Sequence, residues 1–389
     1  MTDPLSRSGL ERFAEVASSH VGPDKIPGLV ALVSRGDQVH VEAVGSLSLG
    51  GAPVRRDSLF RIASTTKPVT GALTMALVDD GVLGIDDPVD KWLPELADRR
   101  VLRAIDGALD DTVPAGRPIT VRDLLTFTFG FGMVVEMFMA AEPWPVVRAA
   151  DDLNLGTLGP PGPDTQPEPD TWIAGLGSLP LLAQPGERWM YNTGAQVLGV
   201  LVSRAAGKPF AELLHGRLLE PLGMRDTAFS AADTSRLATA YAPTPDGLRV
   251  WDPPGGQWSH PPVFADGAAG LVSTADDLLA FARMFLDGGA PVLSAGSVSE
   301  MTRDQLTSAQ RTGTTEAFLH GRSWGYAQSV ITEGPRAGAF GWDGGLGTSW
   351  LVDPARDLAV VVLTQRMWDS PQPPAVHGDL QDAAYGALA

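Results

Sequence analysis

Cysteine is absent from all 389 residues. Its absence excludes disulfides, thiolate nucleophiles, iron–sulfur clusters and thiolate zinc sites together. Basic residues are scarce, 29 Lys and Arg against 46 Asp and Glu, so the formal charge is −17. A field of that sign repels phosphate backbones and anionic lipid, so neither nucleic acid nor a membrane is an expected partner. No apolar run reaches the roughly 18 residues of a membrane span. The opening MTDPLSRSGLERFAEV lacks the apolar stretch of a signal peptide and reads as an amphipathic helix, so a cytoplasmic location is expected. The six histidines lie far apart, with no H-E-x-x-H or H-x-H pair, so no metal and no cofactor is expected.

Apolar residues make up 44% of the chain, enough for a sizeable core. Residues 28–46, GLVALVSRGDQVHVEAVGS, read as a hairpin turning at Arg35-Gly36-Asp37. Between 64 and 83 the apolar period lengthens to about 3.6, which predicts a helix ending near Gly81 and Gly84. ITVRDLLTF (119–127) predicts another helix, capped by Thr120 with Asp123 closing the box. Residues 142–170 hold seven prolines and read as a long loop. Helical patterns fill 195–220 and 273–287, and DPPGGQWSHPP (252–262) is a second loop. WGYAQSVIT, AGAFGWDGG, LGTSWLVDP and LAVVVLTQ (324–365) predict an antiparallel meander, followed by the helix DLQDAAYGALA. Strands at both ends and helices between predict an α/β domain from 1–75 and 260–389, with a mainly helical domain, 76–259, inserted.

Only four lysines occur, and only Lys67 has a serine three positions before it, Ser64. At that spacing two helical side chains share a face, and a helix N-terminus favours charge developing on the serine. Alone, S-x-x-K fits an N-cap serine beside a solvated lysine. Here, however, Lys67 lies between the apolar stretches LFRIA and PVTGALTMAL, an unusual place for an ammonium facing water. A desolvated lysine has a depressed pKa and takes up a serine proton. Tyr191 lies between PGERWM and a helix-like run; positive charge from Lys67 is expected to lower its pKa and suit it to acid–base work. Gly341-Trp342-Asp343-Gly344-Gly345 ends a strand, where paired glycines let a substrate approach the backbone. The N–H groups of Gly345 and Ser64 are expected to form an oxyanion hole.

In this order the three motifs resemble those of the serine β-lactamase and penicillin-binding-protein superfamily, especially its class C β-lactamase-like branch with family VIII carboxylesterases and D-stereospecific peptidases. FRIASTTKPVTG, QPGERWMYNTGAQVLG and FGWDGGLGTSWLVDP carry the likeness, which extends over nearly the whole chain. The resemblance implies a β-lactamase/transpeptidase-like fold of the α/β plus all-α class, an antiparallel sheet flanked by helices with an inserted helical domain. It implies Ser64 as the acylated nucleophile, Lys67 as the group that deprotonates it, and Tyr191 as the proton shuttle to the leaving group.

Departures from the family pattern shape the expected substrate. Trp342 stands where lactamases use a lysine that holds the substrate carboxylate, and Asp343 beside it is expected to repel one further. Thr193 replaces an asparagine. Phe127 and Phe129 stand where many relatives have histidine and serine. With Gly344 and Trp144 these residues form the expected substrate site, apolar and aromatic, with Trp172, Trp251 and Trp258 as further candidate walls. The expectation is a carboxylic ester with an apolar acyl group. Amide hydrolysis (a D-amino-acid peptidase, a lactam or oligomer amidase, a weak β-lactamase) stays open, with Asp343 holding a substrate ammonium; so do acyl transfer and a silent binding relative. A rival G-x-S-x-G at Gly321–Gly325 would need a strand before Ser323 and a helix after it. YAQSVITEGP, which follows, reads as a strand.

Overall fold

The computed structural model describes residues 4–311, 315–370 and 372–388. A seven-stranded antiparallel sheet draws strands from both ends of the chain: β1 (Gly28–Arg35), β2 (Gln38–Gly45), β3 (Ser323–Trp324), β4 (Ser329–Val330), β5 (Phe340–Gly344), β6 (Thr348–Asp353) and β7 (Leu358–Thr364). Their spatial order is β2-β1-β7-β6-β5-β4-β3. The predicted hairpin and meander are both present, and β1 joins them by pairing with β7 from Leu29↔Thr364 to Arg35↔Leu358. The helices that bear on the site are α1 (Arg7–Ser19), α2 (Thr66–Asp79), α3 (Val121–Leu125), α4 (Thr193–Ala206), α5 (Ala275–Leu286) and α6 (Ala375–Gly386). This is the β-lactamase/transpeptidase-like architecture, an antiparallel sheet with helices on its faces.

Side chains of β1 alternate between two cores, as the pleat requires. Leu29, Ala31 and Val33 pack under α1 and α6 with Phe13 and Leu380. Val30 and Leu32 face the other way, toward Leu73 of α2 and Phe281 of α5. Burial on both faces explains why β7 reads LAVVVLT without a polar interruption. Complete burial of Phe13 on α1 stabilises that docking by roughly 1.5–3 kcal/mol. Helix α3 carries the expected capping box: Thr120 Oγ accepts from Asp123 N at 3.3 Å, and Asp123 Oδ2 accepts from Thr120 N at 2.9 Å.

Four expectations need correction. WGYAQSVIT is not one strand; β3 and β4 are separated by a tight turn closed by Gly325 N to Gln328 O at 2.9 Å. The proline-rich stretch is not all loop, because Pro145 and Pro169 each open a helix, Pro145–Asp152 and Pro169–Ser178, in the first turn, where proline sacrifices no helical bond. The helical pattern over 195–220 is not one helix: α4 stops at Ala206, where Gly207 adopts φ 64, and helix resumes after Pro209 at Phe210–Leu214 and continues through His215–Leu219. A boundary at 75 falls inside α2, and the 76–259 segment also holds two hairpins, Arg100–Leu102 with Thr112–Pro114 and Ala240–Thr244 with Gly247–Asp252. Among the described residues no helix is long and apolar enough to cross a membrane.

Candidate active site

A short strand, Phe60–Arg61, pairs with Val272–Ser273, and Ile62 N donates to Leu271 O at 2.9 Å. The chain then turns sharply. Ala63 adopts φ 44, a left-handed conformation that costs a non-glycine residue roughly 1–3 kcal/mol. A single 3-10 turn, Ala63–Thr65, presents Ser64 and leads into α2, where Pro68 in the first turn forfeits nothing. Lys67 Nζ donates to Ser64 Oγ at 2.9 Å and to the Ala268 carbonyl at 2.9 Å. The lysine is completely buried. Burial pushes its amine down to about 7, with the negative charge of Asp266 acting the other way.

Tyr191 is pinned by its backbone. Its carbonyl accepts from Met133 N at 2.8 Å and its N–H donates to Met133 O at 2.9 Å. Asn192 has φ 80 and ψ −66, and Thr193 N donates to Tyr191 O at 3.2 Å. That is a γ-turn of the strained, positive-φ kind, and it starts α4 directly behind the phenol. The Tyr191 ring lies 4.5 Å from Lys67 Nζ. Its hydroxyl accepts from Trp342 Nε1 at 2.8 Å and is within hydrogen-bonding reach of the Ser64 side chain. The expected electrostatics are reversed here. Burial dominates and raises the phenol above its ordinary value, against the lowering effect of the Ser64 and Trp342 hydrogen bonds. Of the two groups, Lys67 is the one that exchanges its proton near neutral pH.

The end of β5 closes the other side. A Cβ on Gly344 would lie 2.3 Å from the carbonyl oxygen of Ile62, so this glycine admits the protein's own nucleophile turn; it is not among the residues lining the cavity. Thr348 Oγ fixes the same approach by donating to Ile62 O at 2.9 Å. Gly345 is exposed, with open space where a side chain would stand, and it does line the cavity. Asp343 is paired with Arg322 at 3.4 Å. Its charge is therefore partly answered within the protein, although it lines the cavity.

Ser64, Tyr191, Trp342, Asp343 and Gly345 meet in a cavity of about 380 Å³. Met133, Phe138 and Phe318 supply apolar wall, and Gly159, Pro160 and Pro161 bring the proline-rich stretch to its rim. Other sequence candidates lie elsewhere. Phe127 is fully buried beneath the wall, its ring 4.9 Å from Trp324 and 6.2 Å from Tyr191. Phe129 belongs to the main core, and Trp144 is half-buried against it. Thr193 is buried in the first turn of α4, away from the cavity. Trp172 and Trp258 are fully buried, with Trp251 packed on Trp258 at 5.7 Å; none of the three is a wall.

Phe318, Trp368, Asp266 and Arg322 line the cavity without having been singled out in the sequence. Arg322 had a signal, since it sits inside the rival G-x-S-x-G. Ser323 of that motif is completely buried, hydrogen bonded to Asp304 and Arg311, and followed by a turn instead of a helix. Asp266 has no local motif. Among the described residues no group of three or more His, Asp or Glu is placed to hold a metal.

A serine one turn before a buried lysine, with a tyrosine against both beside the end of a strand of an antiparallel sheet, defines the class of serine β-lactamases and penicillin-binding proteins. The profile of the Beta-lactamase family matches residues 13–384, and the chain belongs to that family. An uncharacterised protein of Mycobacterium tuberculosis is 40% identical, covering 88% of this chain and 87% of its own. Esterase EstB of Burkholderia gladioli is 30% identical over 93% of this chain and 91% of its own. Among solved structures, EstCE1, a hydrolase with promiscuous acyltransferase activity, superposes with a TM-score of 0.81 at 25% identity, covering 97% of this chain and 99% of that one. Simvastatin synthase LovD from Aspergillus terreus, unliganded, shares the fold with a TM-score of 0.77 at 20% identity over 98% of each chain.

Proposed function

We propose that this protein is a serine hydrolase that cleaves carboxylic esters with apolar acyl groups through an acyl-enzyme on Ser64. One observation carries the reading: Ser64 Oγ and the buried amine of Lys67 stand 2.9 Å apart at the wall of a largely apolar cavity. In the neutral amine form Lys67 takes the Ser64 proton as Oγ attacks the ester carbonyl. The N–H groups of Ser64 and Gly345 receive the developing oxyanion. Tyr191 holds its proton at neutral pH and donates it to the departing alkoxide, then recovers one from the Lys67 ammonium. Water enters for the second half, with Lys67 again the base, and releases the acid. The hydrolytic chemistry is supported by membership of the family and by the likeness to two hydrolases, the esterase EstB and EstCE1. The apolar preference is supported by Met133, Phe138, Phe318 and Trp342.

Acyl transfer is the second reading. An apolar wall that limits water beside the acyl-enzyme favours an alcohol as acceptor, and EstCE1 is a hydrolase with promiscuous activity of that kind. A panel of p-nitrophenyl esters, D-Ala-p-nitroanilide and nitrocefin, assayed for wild type and Ser64→Ala, tests the proposal. Ester turnover that disappears in the variant is expected. Undiminished turnover by Ser64→Ala, or preference for the anilide or nitrocefin, would overturn it.

A further inference from the structure

Asp266 is 5% exposed, yet it lines the cavity beside Ser64 and Tyr191. Its two oxygens do different things. Oδ1 accepts the N–H of Ala268 at 2.7 Å, and Oδ2 accepts from Gln196 Nε2 of α4 at 3.3 Å. Ala268 in turn offers its carbonyl to Lys67 Nζ at 2.9 Å. One side chain thus holds the residue whose carbonyl receives Lys67 and brings a negative charge to bear on the same lysine.

We propose that Asp266 is a positioning residue for the Ser64 reaction, fixing the Ala268 carbonyl against Lys67 and supplying the counter-charge that sets when Lys67 accepts the serine proton. The inference rests on the reading that Ser64 is the nucleophile and Lys67 its base. In the proton transfer the Oγ–H bond of Ser64 breaks and an N–H bond on Lys67 forms. A neutral amine becomes an ammonium in a site where burial penalises charge. A carboxylate already in place offsets that penalty as the transition state is reached.

The other groups around Lys67 do not substitute for Asp266. The nucleophile turn and the Tyr191 loop bring hydroxyls, Ser64 and Tyr191. Helix α4 brings the uncharged Gln196. Asp343 of β5 acts on the Tyr191 phenol and is itself paired with Arg322. Burial raises the Asp266 carboxyl above its ordinary value; the Ala268 N–H, the charge of Lys67 that faces it and the Gln196 amide act the other way and favour its ionised form.

The pH dependence of Ser64 labelling by a fluorophosphonate, mapped by peptide mass spectrometry, tests this without choosing a substrate. In wild type the labelling rate should rise through about 7. Asp266→Asn keeps an oxygen for the Ala268 N–H but removes the charge. Its midpoint should move down by about one pH unit or more, so that labelling at pH 6, relative to the plateau, rises roughly fivefold while the plateau itself falls. Asp266→Glu should restore the midpoint. A purely structural role lowers the plateau and leaves the midpoint in place, and that result would sink the inference. Wild type labelled at a residue other than Ser64 would remove the proposed function and this inference together. As a check independent of any variant's folding, carboxyl-13C aspartate NMR of the wild type should show Asp266 ionised between pH 6 and 8; a protonated carboxyl across that range overturns the proposal.

Discussion

The indole N–H of Trp342 donates a 2.8 Å hydrogen bond to the hydroxyl of Tyr191. Trp342 is therefore more than an apolar wall, because it holds the phenol oxygen and restrains the rise in its pKa. Trp342→Phe keeps ring area and removes the donor. The phenol then becomes a weaker acid, and kcat for ester cleavage should fall by about tenfold, the equivalent of roughly 1–1.5 kcal/mol. Steady-state kinetics on p-nitrophenyl butyrate check this; an unchanged kcat would show that the bond does not serve the chemistry.

Lys67 sets the acid side of the pH profile. Below about 7 it carries a proton in the folded protein and cannot accept the one on Ser64, so kcat/KM should rise as pH passes upward through that value. The same shift has a sign for stability. The folded value lies below the ordinary 10.5, so between about 7 and 10.5 the unfolded chain binds more protons and the Lys67 contribution to stability grows with pH. Lys67→Met should lose activity and also lose this component, which Tm measured against pH for both proteins would reveal as a difference that narrows toward high pH.

Gly344 tests the approach of β5 to the nucleophile turn. A methyl group there would stand 2.3 Å from the Ile62 carbonyl oxygen, backbone against side chain, with no flexible group to yield. Gly344→Ala should push the Ser64 turn out of place and lower activity at least tenfold, and overpacking of this kind costs about 1–3 kcal/mol of stability. Gly345→Ala meets nothing within 4 Å and should leave Tm unchanged. Thermal unfolding of the pair checks the contrast.

Phe318 and Phe138 both line the cavity and pack on each other with ring centroids 6.4 Å apart. Phe138 is 61% exposed although it lines the cavity, so it has surface left to cover a substrate. Phe138→Ala should change stability little and should raise KM for longer acyl chains more than for acetate, by roughly 10-fold for a buried contact of 1–3 kcal/mol. A chain-length series from acetate to octanoate measures it; a uniform change across the series would place Phe138 outside the acyl path.

Much of this architecture was legible in the residues. The hairpin at Arg35-Gly36-Asp37, the C-terminal strands and the Thr120–Asp123 box depend on neighbours in sequence, so alternation and local polar pairing reveal them. The three motifs were legible for the same reason, since each is a short run whose geometry is mostly its own. Breaks in regular structure were harder. The turn between β3 and β4 and the helix opened by Pro145 depend on what packs behind them. Tryptophans outside the motifs were harder still, because Trp172, Trp258 and Trp368 look alike until the fold chooses which one meets the cavity.

The amino-acid order alone determined that a serine and a lysine would share one helical face, that their surroundings would be apolar, and that no thiol or basic field would take part. Only the tertiary structure decided which group would hold its proton at neutral pH. That choice depends on how completely Lys67 and Tyr191 are removed from water and on the charge of Asp266, which arrives from a distant part of the chain when Val272–Ser273 pairs with Phe60–Arg61.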